Sequence, residues 1–226
     1  MKLILKNKIL SKNNEVAYLS FQPDTEINFK AGQFLMLDNG DFKRAYSIAS
    51  KPDDELISFY IKKASENGMS KYLTQDIKIA DKLDFMWPFW HMILEEDKNT
   101  NYFLVSVWSW LWPIFSIYQT LKNSGNYNKI VNIFWERHKD DIVDFVLETM
   151  KNFESEDTKN YFHLSREEKD WFKTWYVQSS FEDAINFLWK DNIKVYMCWK
   201  PAMVDESIEK LEKLWIDKEN IYFEKF

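Results

Sequence analysis

The 226-residue chain has one cysteine, Cys198, which excludes an internal disulfide framework, a four-cysteine zinc site and an iron–sulfur cluster of its own. Its formal charge of −6 argues against nucleic acid as the main partner, because phosphate binding needs a basic face. The length accommodates one large domain or two small ones, ample for a packed core.

Residues 1–6 lack the long apolar stretch and small-residue cleavage site of a secretory signal, so a cytoplasmic protein is expected. From 3 to about 94, short β-branched or aromatic runs alternate with polar breaks. Residues 15–21, 33–37 and 55–61 each read as a half-buried strand, with turn-rich breaks at 38–41 and 51–54. Strands at such spacing predict an antiparallel β-barrel, interrupted by one helical turn at 69–73. After the charged stretch 95–99 the pattern changes. Strands are predicted at 102–107, 129–134, 161–165 and 194–198, and helices at 113–122, 141–151, 181–188 and 201–214. Alternating strands and helices imply an α/β, Rossmann-like parallel sheet. The expected domains are 1–95 and 96–226. Segment 102–118 is the most apolar, but it falls short of the about 20 residues a membrane helix needs and contains Pro113. No membrane partner is expected.

Composition is anomalous in one respect. The chain has 11 tryptophans and only 4 glycines, whereas average usage of about 7% glycine predicts roughly 16. The two residues together come close to that number. Residues 104–119 run from an apolar strand through Trp108, Trp110 and Trp112 to Pro113 and a helix. A sharp strand-to-helix turn ordinarily uses glycine, which takes positive φ freely and lets backbone approach a ligand. With glycine at the three tryptophans, the stretch reads Val-Gly-Ser-Gly-Leu-Gly-Pro-Ile, a recognisable nucleotide-binding loop. Trp215 falls one residue past a predicted helix, where glycine is the favoured left-handed cap. These positions fit glycines encoded by UGA in a lineage that reads that codon as glycine. The alternative is a truly Trp-rich chain with indoles in its core or at a binding face.

The residues then point to a family. Arg44-Ala45-Tyr46-Ser47, after Ala31-Gly32-Gln33-Phe34, resembles the Arg-x-Tyr-Ser/Thr motif of the ferredoxin–NADP reductase family. With glycine for tryptophan, 87–90 becomes that family's Gly-Pro-Phe-Gly link and 108–113 its pyridine-nucleotide loop. Likewise 134–137 becomes Phe-Gly-Glu-Arg, and 198–203 becomes Cys-Gly-Lys-Pro-Ala-Met. The resemblance runs nearly end to end, and motifs in family order are far more specific than a lone Gly-x-Gly. As it stands, the chain departs from the pattern at every glycine of the last four motifs.

The resemblance implies a barrel that binds FAD and an α/β domain that binds NAD(P)H. Arg44 would pair with the flavin cofactor's pyrophosphate, Tyr46 would pack on the isoalloxazine edge, and the Ser47 hydroxyl would bond near N5. Gly68 and Ser70 resemble a helix start that meets phosphate. Trp108, Ser109, Trp110 and Pro113 occupy the dinucleotide loop, and Arg137 would help hold the same nucleotide. Ser165 and Arg166 resemble the pair that contacts a 2′-phosphate, which favours NADPH over NADH. Cys198, Trp199, Pro201 and Met203 correspond to the nicotinamide-proximal segment. Glu224 would lie near the hydride path and Phe226 would stack on flavin. Taken singly, Arg44 and Tyr46 suit any half-exposed strand, Ser70 a plain cap, Cys198 a small buried hydrophobe, Arg166 a solvated charge, and the C-terminus a frayed end. His91, His138 and His163 show no ligand spacing, and no metal is expected.

The implied reaction is hydride transfer between nicotinamide C4 and flavin N5, followed by single-electron exchange with ferredoxin or flavodoxin. Lacking four cysteines, the chain takes its acceptor from outside; this disfavours the cluster-bearing dihydroorotate dehydrogenase subunit and fused oxygenase reductases. A free-flavin reductase or the reductase component of an oxygenase is the alternative enzyme. A Trp-rich non-catalytic binding module for sugars or a membrane interface is the alternative of another class.

Overall fold

The computed structural model describes residues 1–90, 92–107, 111–174 and 176–225, with backbone alone at position 111. Strands β1 (Lys2–Leu10), β2 (Val16–Pro23), β3 (Phe34–Asp38), β4 (Lys43–Ser47), β5 (Ile57–Lys62) and β6 (Lys82–Phe89) form one antiparallel sheet in the order β4-β3-β6-β1-β2-β5. Its core holds Leu3, Leu5, Leu19, Phe21, Leu35, Phe59 and Phe85. Period-2 alternation explains the sorting on β2. Ala17, Leu19 and Phe21 point into the barrel, whereas Val16 and Tyr18 point outward against the second half of the chain. Gly32 sits at φ 101°, where a side chain would strike the Met92 carbonyl. The expected helical turn at 69–73 is α1 (Met69–Lys71) followed by a wider turn, Tyr72–Asp76.

The second sheet contains β7 (Asn101–Val107), β8 (Lys129–Glu136), β9 (Thr158–Leu164), β10 (Lys173–Thr174), β11 (Ile193–Trp199) and β12 (Ile221–Lys225). Its order is β10-β9-β8-β7-β11-β12, and every described pairing is parallel. Helices α2 (Leu111–Ser124) and α3 (Asp144–Asn152) cover one face; α4 (Phe181–Phe187) and α5 (Pro201–Lys213) cover the other. Burial on both faces is what makes these strands near-continuous apolar runs. Pro113 lies in the first turn of α2, where its missing N–H costs little. The helix expected from 141 starts at Asp144, after a short turn at Lys139–Asp141. Residues 221–225 are paired to β11 rather than frayed. Barrel residues Val16, Ala49, Tyr60 and Met92 share a core with α2 and α3, so the two halves are packed together.

Among the described residues, three tryptophans sit in the left-handed region: Trp171 at φ 80°, Trp189 at 60° and Trp215 at 71°. All three are exposed, Trp215 to 89%. Trp189 and Trp215 occupy the same kind of site. After α5, Ile216 N–H donates to the Leu211 carbonyl (3.1 Å) and Trp215 N–H to that of Glu212 (3.0 Å). After α4, Lys190 N–H donates to Ile185 (3.3 Å) and Trp189 N–H to Asn186 (3.2 Å). This is the Schellman pattern, whose left-handed residue is usually glycine. Among the described residues, no helix is long and apolar enough to cross a membrane.

Candidate functional site

Strand order in the parallel sheet reverses between β7 and β11, and a crevice forms at their C-terminal ends. Two clefts open there. Cys198 and Trp199 are consecutive on β11 and therefore point to opposite faces: Cys198 lines a 390 Å³ cleft against the barrel, and Trp199 lines a 750 Å³ cleft beyond the sheet.

The barrel-side cleft gathers Arg44, Tyr46, Ser47, Gly68, Ser70 and Cys198. Arg44, Tyr46 and Ser47 come from β4, an edge strand paired only to β3 among the described strands. Arg44 is exposed, and its Nη1 donates to the Lys43 carbonyl at 2.8 Å. Tyr46 is half-buried; burial pushes its phenol up to about 12, against the pull of Arg44, so it stays a donor near neutrality. Gly68, at φ 111°, turns the chain into α1. The Ser70 hydroxyl accepts the Ala64 N–H at 3.1 Å, tying loop 64–70 into one unit. Cys198 is buried, and burial, then Glu224, raises its thiol pKa well above the usual value. It is neutral and no nucleophile. Glu224 is its register partner on β12 and is buried too.

Trp112 closes the back of this cleft. Its indole lies on Tyr60 with ring centroids 3.2 Å apart at 26°, whereas aromatic pairs ordinarily keep about 4.5–7 Å. Its Nε1 is buried without a hydrogen-bond partner.

The second cleft carries Arg137, Ser165, Arg166, Lys200, Met203 and Lys210 beside Tyr176. Burial, then the charge of Arg166, holds the Arg137 guanidinium below its usual pKa. Two guanidiniums at the wall of one open cleft make an anion site. Trp135 and Trp199 line the same space, and the Trp135 ring lies 6.2 Å from that of Tyr176 at 28°. Pro201 is exposed at the start of α5 and is not part of the described lining. Trp108, Ser109, Trp110, His91 and Phe226 lie outside the described residues. Lys62, Tyr60 and Tyr176 are cleft residues that sequence reading missed. Lys62 meets Glu136 across 74 positions and Tyr60 meets Asp141 across 81, separations that no local pattern announces. His163 is buried, with Nε2 3.1 Å from the Ser180 hydroxyl, a structural contact.

Glu136, at the end of β8, is buried, and its carboxyl is pushed up to about 7, chiefly by burial and against the pull of Lys62. A carboxyl raised in the folded state favours folding below its unfolded pKa near 4.5, and this contribution is lost as pH rises through 7. The expected loss is about 3 kcal/mol between pH 4.5 and pH 8. Urea unfolding should show it in the parent chain and show it absent in Glu136→Gln.

Residues 2–92 match the oxidoreductase FAD-binding domain family, and residues 111–208 match the oxidoreductase NAD-binding domain family. The chain pairs an FAD-binding with an NAD-binding oxidoreductase domain, in the manner of ferredoxin–NADP reductase-like proteins. It is 24% identical to the toluate 1,2-dioxygenase electron transfer component of Pseudomonas putida, over 95% of this chain and 61% of that protein. The chain thus spans about three fifths of such a relative's length. Two solved structures share the fold. The FAD/NAD-binding domain of a Vibrio cholerae nitric oxide dioxygenase aligns with a TM-score of 0.84 at 18% identity, covering 100% of this chain and 98% of that one. A Neisseria gonorrhoeae ferredoxin NADP+ reductase with bound FAD and NADP aligns at 0.80 and 14% identity, with the same coverages.

Proposed function

We propose that this chain is a cytoplasmic NADPH-dependent flavin reductase that passes electrons to ferredoxin or flavodoxin, with a flavin domain at 1–95 and a nucleotide domain at 96–226. The observation that carries the reading is the pair of clefts on opposite faces of the sheet's C-terminal edge, joined through Cys198 and Trp199. FAD, when bound, supplies the step from two-electron hydride to single electrons. The residues present suit it. Arg44 offers a fork for pyrophosphate, Tyr46 an apolar wall, Ser47 a hydroxyl at the ring edge, and the loop at Gly68 and Ser70 a phosphate cradle. On the other side, Ser165 and Arg166, with Arg137 beside them, receive the nucleotide's 2′-phosphate, and Met203 and Trp199 border its path. Buried Cys198 and Glu224 would help keep water out where the two cofactors meet. Neither is required as a nucleophile or base.

The tryptophans belong to this proposal. Trp112, Trp135 and Trp199 line the clefts at three of the family's glycine positions. Trp189 and Trp215 hold left-handed helix caps, and Trp171 is left-handed and exposed. We read these as glycines encoded by UGA. Codons for these positions, or peptide masses from the source organism, decide the matter; UGG triplets there would end the idea.

A second reading, favoured by the name of the Pseudomonas relative, makes the acceptor an oxygenase component. The test is direct. The glycine-bearing protein should bind FAD, turn yellow and oxidise NADPH with an artificial acceptor, then reduce ferredoxin or flavodoxin. A protein that stays colourless after incubation with FAD overturns the reading.

A further inference from the structure

The wall between the two clefts carries a polar cluster that the reductase reading leaves unused. Lys62, at the end of β5, lines the barrel-side cleft, and its ammonium crosses to the second domain. Nζ lies 2.9 Å from Asp141 Oδ2 and 3.3 Å from Glu136 Oε1. Glu136 Oε1 also accepts the Arg137 N–H at 2.8 Å, and its neighbours Trp135 and Arg137 line the nucleotide-side cleft. The other Asp141 oxygen accepts Asn13 Nδ2 at 2.5 Å, from the β1–β2 turn of the barrel. Tyr60, two residues before Lys62, donates its hydroxyl to the Asp141 carbonyl (3.3 Å) and accepts the Val143 N–H (3.2 Å). One short turn, 136–143, is thereby tied to two separate parts of the barrel.

Removing two carboxylates and an ammonium from water costs about as much as their attraction returns, so stability is a poor reason for such a cluster. Direction is a better one. Most of the remaining interface is the shared apolar core of Val16, Ala49, Met92 and Ile114, and hydrophobic contact is non-directional. A first polar anchor lies on α2, where Ser116 Oγ donates to the Ser50 carbonyl (2.6 Å) and Gln119 Nε2 to that of Ala49 (2.9 Å). One anchor leaves rotation about itself; a second at 136–143 removes it. We propose that Lys62, Glu136 and Asp141 form an interdomain latch that fixes the barrel against the nucleotide domain and act as positioning residues for hydride transfer. This rests on the reductase reading, because it is hydride transfer that demands the fixed spacing. Displacements of about 1 Å cost such reactions on the order of a hundredfold.

The groups facing Glu136 are Lys62 from β5, Tyr60 beside it, Asp141 from the turn and Arg137, the next residue after β8.

The test uses the full glycine-bearing chain, taken as the parent and loaded with FAD, mixed with NADPH in a stopped-flow instrument. Glu136→Gln and Asp141→Asn should each lower the limiting flavin-reduction rate about tenfold. FAD affinity and NADPH half-saturation should stay within about twofold, since neither carboxylate faces a cofactor group. Lys62→Arg should keep most of the rate. Hydrogen exchange provides an arm independent of chemistry: the Val143 amide should exchange about tenfold faster in Lys62→Met. Unchanged rates and unchanged exchange would overturn the latch. So would a loss of FAD affinity parallel to the loss of rate, which would make Lys62 a flavin ligand held by its carboxylates. If neither NADPH nor NADH reduces the parent protein, the reductase reading fails, and amide exchange still decides the latch.

Discussion

Placing glycine at all 11 tryptophan positions is expected to tighten NADPH binding on the order of a hundredfold over the tryptophan-bearing chain. The dinucleotide loop works by bringing backbone N–H groups within contact of phosphate oxygens, and an indole at that distance occupies the phosphate's place. Trp112 illustrates the cost in the folded chain. Its ring is pressed to 3.2 Å from Tyr60, and its buried Nε1 finds no partner, a defect worth about 1–3 kcal/mol. A narrower variant separates cleft from caps. Trp171, Trp189 and Trp215 are exposed and left-handed, and none lines either cleft. A left-handed non-glycine residue costs about 1–2 kcal/mol, and glycine's greater freedom when unfolded offsets about 0.4–1 kcal/mol of that. Glycine at these three sites should therefore add about 2 kcal/mol and raise Tm by roughly 4–8 °C, with nucleotide affinity unchanged. Calorimetry and fluorescence titration read the two effects apart. Equal NADPH affinity in the 11-glycine and tryptophan chains would remove the steric argument.

The second large effect concerns which nicotinamide is used. Arg166→Ala with Arg137→Ala should lower kcat/KM for NADPH on the order of a hundredfold and leave NADH within about threefold. A charge-assisted hydrogen bond to phosphate contributes about 1.5–3 kcal/mol, and only NADPH carries the 2′-phosphate. Burial, and after it the charge of Arg166, holds Arg137 below its usual pKa; an anion beside the pair offsets that charge, so added salt should weaken NADPH more than NADH. Steady-state rates with both nucleotides at two ionic strengths check this. A parallel fall for both would mean that the arginines hold the shared pyrophosphate instead.

Much of this protein is legible along the chain because the relevant physics is local. Alternation on β2, apolar runs on β7, β8 and β11, Pro201 at the start of α5 and the cap position of Trp215 each depend on a window of a few residues. The motif order from Arg44 to Met203 needs no coordinates either, and it named the cofactors. Other features belong to tertiary structure alone. Strand boundaries moved where pairing partners, not propensity, end a ladder: β9 begins at Thr158 and β12 exists only because β11 lies beside it. Cys198 and Trp199 face different clefts only because β11 is covered on both sides. Lys62 and Glu136 are 74 positions apart, and no periodicity links a barrel strand to the end of a parallel one. Their meeting is decided by sheet order, register and the apolar packing of one domain on the other, which local sequence patterns do not record.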